Sequence, residues 1–368
     1  MLAAELMNGF AARTGLTTAA SAAAPARRYL WTDAFAVCNF LGLARATGDA
    51  GYTELARRLV DLVHGTLGRH RDDDPRRGWI SGLSEADGAE HPTLGGLRIG
   101  KPLPERPRGE PVDQSLEWDR DGQYFHYLTR WMHALDQLAR VTGEERFLRH
   151  ALELAEAAHQ RFVHGPRGQR RMYWKMSIDL MRPQLASMGH HDPLDGYVTC
   201  LALEVHRVEL GARGPDLGDA IAEFRAMIEP EALATGDPLG IGGLLVDAHR
   251  LTQLERDPGL RDAIIRAAEL GLAHYAGAPD LQRPASQRLG FRELGLAIGL
   301  SAAARIARYA GLGRAIEAFW LHPDHRRAAT WVDHLDINEV MLATCLLPEG
   351  FLGMLAPGSA AHAARAAR

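Results

Sequence analysis

Three cysteines among 368 residues, Cys38, Cys200 and Cys345, each lie inside an apolar run. That spacing suits buried thiols in a reducing compartment, supports no disulfide framework and offers no metal-ligand pattern. Basic residues are scattered rather than clustered: net charge is −4, and Arg76 and Arg77 are offset by Asp72, Asp73 and Asp74. No electrostatic footprint for nucleic acid results. No stretch reaches the roughly 20 uninterrupted apolar residues that cross a bilayer, so no membrane partner is expected. The opening "MLAAELMNGF" has an acidic residue and no basic region ahead of an apolar core. It does not read as a signal peptide, and the expected location is cytoplasmic. What is present is a globular balance, 46% hydrophobic and 24% charged, sufficient for a large core.

Two segments resemble each other, "DAFAVCNFLGLARATGDAGYTELARRLVDLVHGTL" and "DGQYFHYLTRWMHALDQLARVTGEERFLRHALELAEAAHQRF". Each has an apolar run, a Thr-Gly-acid turn and an amphipathic run, the order of a helical hairpin. Gly48 and Gly143 are placed to take the left-handed conformation that ends the first helix. The second halves carry apolar residues at helical spacing, such as Leu55, Leu59, Leu62 and Val63. Fainter copies begin at "DGYVTCLALEVHRVEL", "DPLGIGGLLVDAHRL" and "RELGLAIGLSAAARI". A sixth apolar run, "INEVMLATCLL", has the N-terminal "LAAELMNGFAARTG" as its outer partner. The fold expected is all-α, an (α/α)6 toroid in which each hairpin buries its apolar face against its neighbours. One domain, 1–355, is expected, followed by a mobile tail, 356–368. Two long connections, near 68–118 and 164–194, lie on the pocket side, and "RMYWKMSIDL" reads as a small β-hairpin.

In such a ring the inner helices run the same way, so the residues preceding them gather at one mouth. These are "RRYLWTDAF", "LEWDRDGQYF", "GHHDPLDGYV", "ATGDPLGI", "RLGFRELG" and "WVDHLDINEV". An aspartate here is a good N-cap, stabilising by about 1 kcal/mol. Capping leaves the aromatics unexplained: Trp31, Trp118, Tyr124, Trp174 and Trp331 stand at such places. Packing in the pocket wall is one reading of them. The other is a sugar cleft, where rings stack on C–H faces while His190, His191, His334, Arg292, Glu293 and Asp336 bond hydroxyls.

Six hairpins in one ring, with "WDRDGQYFHYL" and "WTDAF" entering inner helices, resembles the six-hairpin glycosidase superfamily over most of the chain. The resemblance implies a carbohydrate-active enzyme. Related (α/α)6 families include unsaturated glucuronyl hydrolases, which use pocket aspartates, and the N-acylglucosamine 2-epimerase group, which moves a proton with pocket histidines. Fold by itself does not fix the reaction.

Hydrolysis requires a protonated carboxyl and an ionised one flanking the scissile bond. Asp119, beside Trp118, is the expected acid, and Asp195, ahead of Gly196 and an apolar helix, the ionised partner. Asp33, Asp121 and Asp336 are reserves. Epimerisation would instead use His126, one turn into an inner helix, or His190, His191 and His334. Arg292, Arg98 and Lys101 are placed to clamp the carboxylate of an acidic sugar, or to be ordinary surface charges. "GHHDPLDG" could be a metal-ligand fragment, but no further His or Cys spacing supports it, so neither metal nor other cofactor is expected. The leading expectation is a glycoside hydrolase acting on a small-molecule saccharide. A cofactor-independent sugar epimerase is the alternative, and a non-catalytic saccharide-binding toroid the second alternative. The sequence gives no oligomeric state.

Overall fold

The computed structural model describes residues 1–17, 27–276, 279–302 and 309–354. The tail expected at 356–368 lies outside these. Among the described residues twelve helices of ten residues or more follow the expected hairpin order. They are α1 (Leu2–Arg13), α2 (Leu30–Thr47), α3 (Gly51–Leu67), α4 (Phe125–Thr142), α5 (Glu145–Phe162) and α6 (Asp192–Leu210). The remaining six are α7 (Gly218–Met227), α8 (Pro238–Gln253), α9 (Pro258–Ala276), α10 (Gly290–Ala302), α11 (Ala310–Leu321) and α12 (Leu335–Leu346). None is long and apolar enough to cross a membrane. The hairpin turn read from "TGE" is present: Gly143 ends α4 at φ +70° and its amide donates to the Ala139 carbonyl, a conformation glycine adopts without strain.

The chain forms two compact units. One contains Met1–Arg13, Asn39–Ala50 and Glu229–Met354. In it α12, the sixth apolar run, packs on α1, its expected partner. Asn39 donates to the Val340 carbonyl (2.9 Å) and accepts from the Thr344 hydroxyl (2.9 Å). Helices α8 and α10 approach so closely that a Cβ on Gly242 would stand 2.2 Å from the Gly295 carbonyl oxygen.

The other unit holds residues 14–38 and 51–228. Here α4 packs on α5 and α6, and α6 on α7. The interior of α4 is not purely apolar. Asp136 accepts from Arg140 Nε (2.9 Å) and pairs with His206 Nδ1 (2.6 Å), all three side chains buried. Burial raises the Asp136 pKa, but the bond from His206 and the charge of Arg140 outweigh it and hold the carboxyl below its usual range.

Among the described residues five short strands decorate this unit: β1 (Gln123–Tyr124), β2 (Val163–His164), β3 (Arg171–Met172), β4 (Lys175–Met176) and β5 (Pro183–Leu185). The stretch "RMYWKMSIDL", expected to form a small hairpin, contributes β4, which pairs with β5 just beyond it, and β3, which pairs with β2. The sequence reading did not anticipate that β1, immediately before α4, would join β4. Gly122 makes that pairing possible. Its φ is +148°, and a Cβ there would stand 2.7 Å from the Met176 carbonyl oxygen.

A buried histidine pair gives this unit a pH dependence. Trp131 Nε1 donates to His64 Nε2 (3.1 Å), the His64 and His150 rings stand 5.3 Å apart, and His150 Nε2 bonds the Glu90 carbonyl. Burial, with repulsion from His150, pushes His64 well below the ordinary 6.5. Burial is also the main cause that takes His150 to about 4, with Arg149 and Arg146 adding to it. Both values are depressed by folding, so the stability they contribute is present above the ordinary value and is lost as pH falls through the folded one. For His150 this is on the order of 3 kcal/mol. Thermal unfolding followed from pH 7 to pH 4 should show a falling midpoint whose slope is flattened in His150→Gln. Parallel profiles for the two proteins would refute this assignment.

Candidate active site

The candidate site is built at the start of α4, in the second unit. A short helical turn, Gln114–Glu117, is capped by the Asp113 carboxylate accepting from the Leu116 amide and ends at Trp118. The chain then runs irregularly to Gly122, bonding to the first connection on the way: the Leu103 amide donates to the Asp119 carbonyl and the Asp121 amide to the Leu103 carbonyl. β1 follows, and its pairing with β4 sets Tyr124 opposite Lys175, next in sequence to Trp174.

The result is a row of rings. Trp118 meets Trp174 edge to face at 5.4 Å between centroids, Trp174 meets Tyr124 at 5.3 Å, and Tyr124 stacks on His126 at 5.3 Å. His126 is also nearly parallel to Trp174, at 15° and 6.5 Å. Trp118 is 52% exposed, whereas Tyr124 is buried. Tyr127 and Tyr29 share a hydroxyl–hydroxyl bond of 2.6 Å beside the row, and the Lys101 ammonium sits 5.4 Å from the Tyr29 ring centroid. Burial raises the pKa of both Tyr29 and Tyr124 and lowers that of Lys101, the last against the attraction of Asp119 and Asp121.

Two side-chain rungs join α4 to α6, one of them an ion pair. His126 and Arg130 lie one turn apart on α4; Asp192 and Asp195 lie one turn apart at the start of α6. His126 Nδ1 is 3.6 Å from Asp192 Oδ1, and Arg130 Nη2 is 3.0 Å from Asp195 Oδ1. Both carboxylates occupy the first turn of α6, where the amide dipoles favour negative charge. Among the described residues no hydrogen bond reaches the other Asp192 oxygen, Oδ2, although it is buried. Gly189 gives it room, since a Cβ there would stand 2.2 Å from Oδ2.

Asp119 is exposed, as is Trp118 beside it, so the apolar seat expected for a catalytic acid is not present at Asp119. Asp121 is fully buried: it accepts from Arg98 (3.0 Å), Arg71 (3.3 Å) and the amides of Gly100 and Gly122. Arg98, which also holds the Thr66 and Arg69 carbonyls, is therefore a structural tie rather than a substrate clamp. Asp33 is buried in the first turn of α2, accepting from the Tyr29 amide and lying 3.6 Å from Arg28. Trp31 is buried against Phe35 at 4.4 Å. His191 occupies the N-cap position of α6 and His190 is exposed, their rings 4.5 Å apart.

In the other unit, Glu293 is buried between Arg288 (2.8 and 2.6 Å) and the indole N–H of Trp320 (2.8 Å). Arg292 bonds Asp237, the N-cap of α8, at 2.7 Å. Trp331 is buried and stacked on Trp320 at 5.2 Å, His334 meets Phe291 at 6.0 Å, and Asp336 pairs with Arg13 at 3.0 Å. Among the described residues no three His, Cys, Asp or Glu side chains are grouped as metal ligands.

The sequence reading missed Asp192, Arg130, Tyr29 and Tyr127. The signal for the first two was present: four-residue spacing in "HYLTR" and three-residue spacing in "DPLD" put each pair on one helix face.

The fold has solved counterparts. An α-1,6-mannanase of Salegentibacter sp., made inactive by replacing two adjacent aspartates and bound to α-1,6-mannotriose, is 12% identical at TM-score 0.53, over 96% of this chain and 98% of that one. A GH76 α-mannanase of Bacteroides thetaiotaomicron is 9% identical at TM-score 0.59, over 95% of each chain. A cellobiose 2-epimerase of Spirochaeta thermophila is 13% identical at TM-score 0.51, over 94% and 98%. No protein-family profile and no curated sequence matches the chain. At these identities the likeness shows the fold alone: all-α, an (α/α)6 toroid.

The contrast between the two neighbouring aspartates is testable. Asp121→Asn removes a buried charge from two arginines and should cost about 3 to 5 kcal/mol. Asp119→Asn changes an exposed group and should stay within about 0.5 kcal/mol of the parent. Urea unfolding midpoints measure both, and equal costs would contradict the geometry described.

Proposed function

We propose that the chain is a carbohydrate-active enzyme, a glycoside hydrolase that binds short saccharides along Trp118, Trp174 and His126, with the buried Tyr124 backing the row. The observation that carries this reading is the row of rings itself, half exposed at Trp118, with Asp119 next to that ring in sequence and Asp192 beside His126. Flat ring faces pack against the C–H faces of sugars, and the adjoining carboxylates and imidazole bond hydroxyls. Asp195, facing Arg130 in the first turn of α6, suits the ionised partner; Asp119, exposed in the free protein, takes the proton donor's part once a sugar stacked on Trp118 covers it and supplies the apolar seat it otherwise lacks. The mannanase neighbours support a glycosidase on this fold. Their adjacent-aspartate arrangement does not transfer directly. The run of adjacent aspartates here is Asp72, Asp73 and Asp74, of which Asp73 is bound by Arg71 and Asp74 by Arg76.

One observation favours a second reading, epimerisation. His126 is partly exposed and its Nδ1 lies 3.6 Å from Asp192 Oδ1, an imidazole beside a carboxylate, the pairing that suits proton transfer. The epimerase neighbours support that chemistry on the same fold. The three free thiols, two buried and one partly so, support a reducing, cytoplasmic compartment. The likeness over nearly the whole chain supports residues 1–355 as one working domain.

Proton NMR in deuterated water, with α-1,6-mannooligosaccharides, cellobiose and acidic disaccharides, separates the readings. New anomeric signals establish hydrolysis, and the first anomer gives its stereochemistry. Loss of a ring-proton signal from uncleaved sugar establishes epimerisation. Under the lead reading Asp119→Asn and Asp195→Asn each lower turnover by about 10² to 10⁴ while binding persists. Parental turnover in either variant removes that residue from the mechanism.

A further inference from the structure

We propose that Lys175 is a positioning residue for this site, gripping the backbone on both sides of Trp118 and Asp119. The inference rests on the saccharide-site reading above. The Lys175 side chain is 0% exposed, and Nζ donates three hydrogen bonds: to the Glu117 carbonyl (2.7 Å), to Glu117 Oε2 (3.0 Å) and to the Arg120 carbonyl (2.8 Å). An ammonium has three N–H donors, and all three are used. The nitrogen also lies 5.5 Å from the centroid of the Tyr124 ring, one of the rings in the row.

The carbonyls of Glu117 and Arg120 flank the two exposed residues assigned to stacking and acid catalysis. Backbone hydrogen bonds tie this stretch to the preceding turn, at Ser115 and Leu116, and to Leu103 of the first connection; Lys175 adds the tie to the second connection. The grip is itself anchored. Glu117 Oε1 accepts from Arg106 Nε (2.7 Å), and Arg106 Nη2 donates to the Gln184 carbonyl in β5 (2.8 Å). Both connections therefore fasten onto the residue preceding Trp118.

A buried ion pair is weak evidence for a stability role, because well-packed apolar side chains of similar size often serve as well or better. An apolar side chain cannot satisfy the two carbonyls that fix where Trp118 and Asp119 point. That places the value of Lys175 in geometry. It also separates Lys175 from a catalytic residue, since buried Nζ has no free donor to offer a substrate.

The test compares the parent with Lys175→Met, with the double variant Lys175→Met/Glu117→Gln, which leaves no half-paired carboxylate, and with Trp118→Phe. Far-ultraviolet circular dichroism reads the exciton coupling of Trp118 and Trp174, taken as the difference between the parent and Trp118→Phe. The NMR assay above reads kcat/KM on whichever saccharide the parent turns over. The expected result is a cooperatively unfolding double variant that has lost the coupling and about a hundredfold in kcat/KM. A folded double variant with the coupling intact and kcat/KM within twofold of the parent overturns the proposal. So does failure of both variants to fold, which would make the lysine a support of the fold. If the parent turns over no saccharide, the functional reading fails, and the exciton signal still decides whether Lys175 positions Trp118.

Discussion

A carboxylate sealed from water, that of Asp121, constrains everything built at the start of α4. An isolated buried charge is prohibitively costly, so it persists only where geometry supplies full compensation. Here Arg71, Arg98 and the amides of Gly100 and Gly122 provide it. Arg98 extends the same network to carbonyls at the end of α3, and Arg71 to the Lys101 and Pro102 carbonyls of the first connection. Helix, connection and the start of α4 are thereby fixed by one group. From the opposite side, β1 pairs with β4 and Lys175 holds the preceding carbonyls. Irregular backbone clasped from two sides can present Trp118 and Asp119 to solvent without the disorder usual for an exposed loop.

That rigidity matters to the chemistry proposed. A stacking ring and a proton donor work only if held close to the productive geometry, and each ångström lost is expensive. The rungs His126–Asp192 and Arg130–Asp195 supply the same preorganisation between α4 and α6, one partly exposed at the imidazole and one buried. They also show why hydrolysis and epimerisation are neighbouring solutions on one scaffold. A saccharide lying along the rings meets both carboxyl and imidazole groups, and the outcome depends on which of its carbons faces them.

The hairpins were legible because their causes are local. Apolar runs, glycine-bearing turns such as that at Gly143, and amphipathic partners all declare themselves within a few residues; the partnership of α1 with α12 followed from closing the ring. The strand-like run around Trp174 was legible for the same reason. Side-chain fate was less so. Asp121 reads like any aspartate before a helix, and only the folded chain brings Arg71 and Arg98, fifty and twenty-three positions away, onto it. Glu293, expected to bond a sugar, is enclosed by Arg288 and Trp320, and Trp331 is stacked inside the core. Asp336 meets Arg13 from the far end of the chain. Long-range pairing of charges leaves no periodic trace, whereas Asp192 and Arg130 did leave one in their helical spacing. Lys175 was invisible for a different reason: a lysine in a polar connection ordinarily points to water.

The central claim is that a saccharide lies on Trp118, Trp174 and His126, the accessible rings of the row that Tyr124 backs. The most direct measurement is a crystal structure of Asp119→Asn soaked with the saccharide that the parent protein turns over. The account predicts a sugar ring stacked on Trp118 or Trp174, with its reacting carbon facing His126 and Asp195. A saccharide bound elsewhere, with these rings bare, would contradict it.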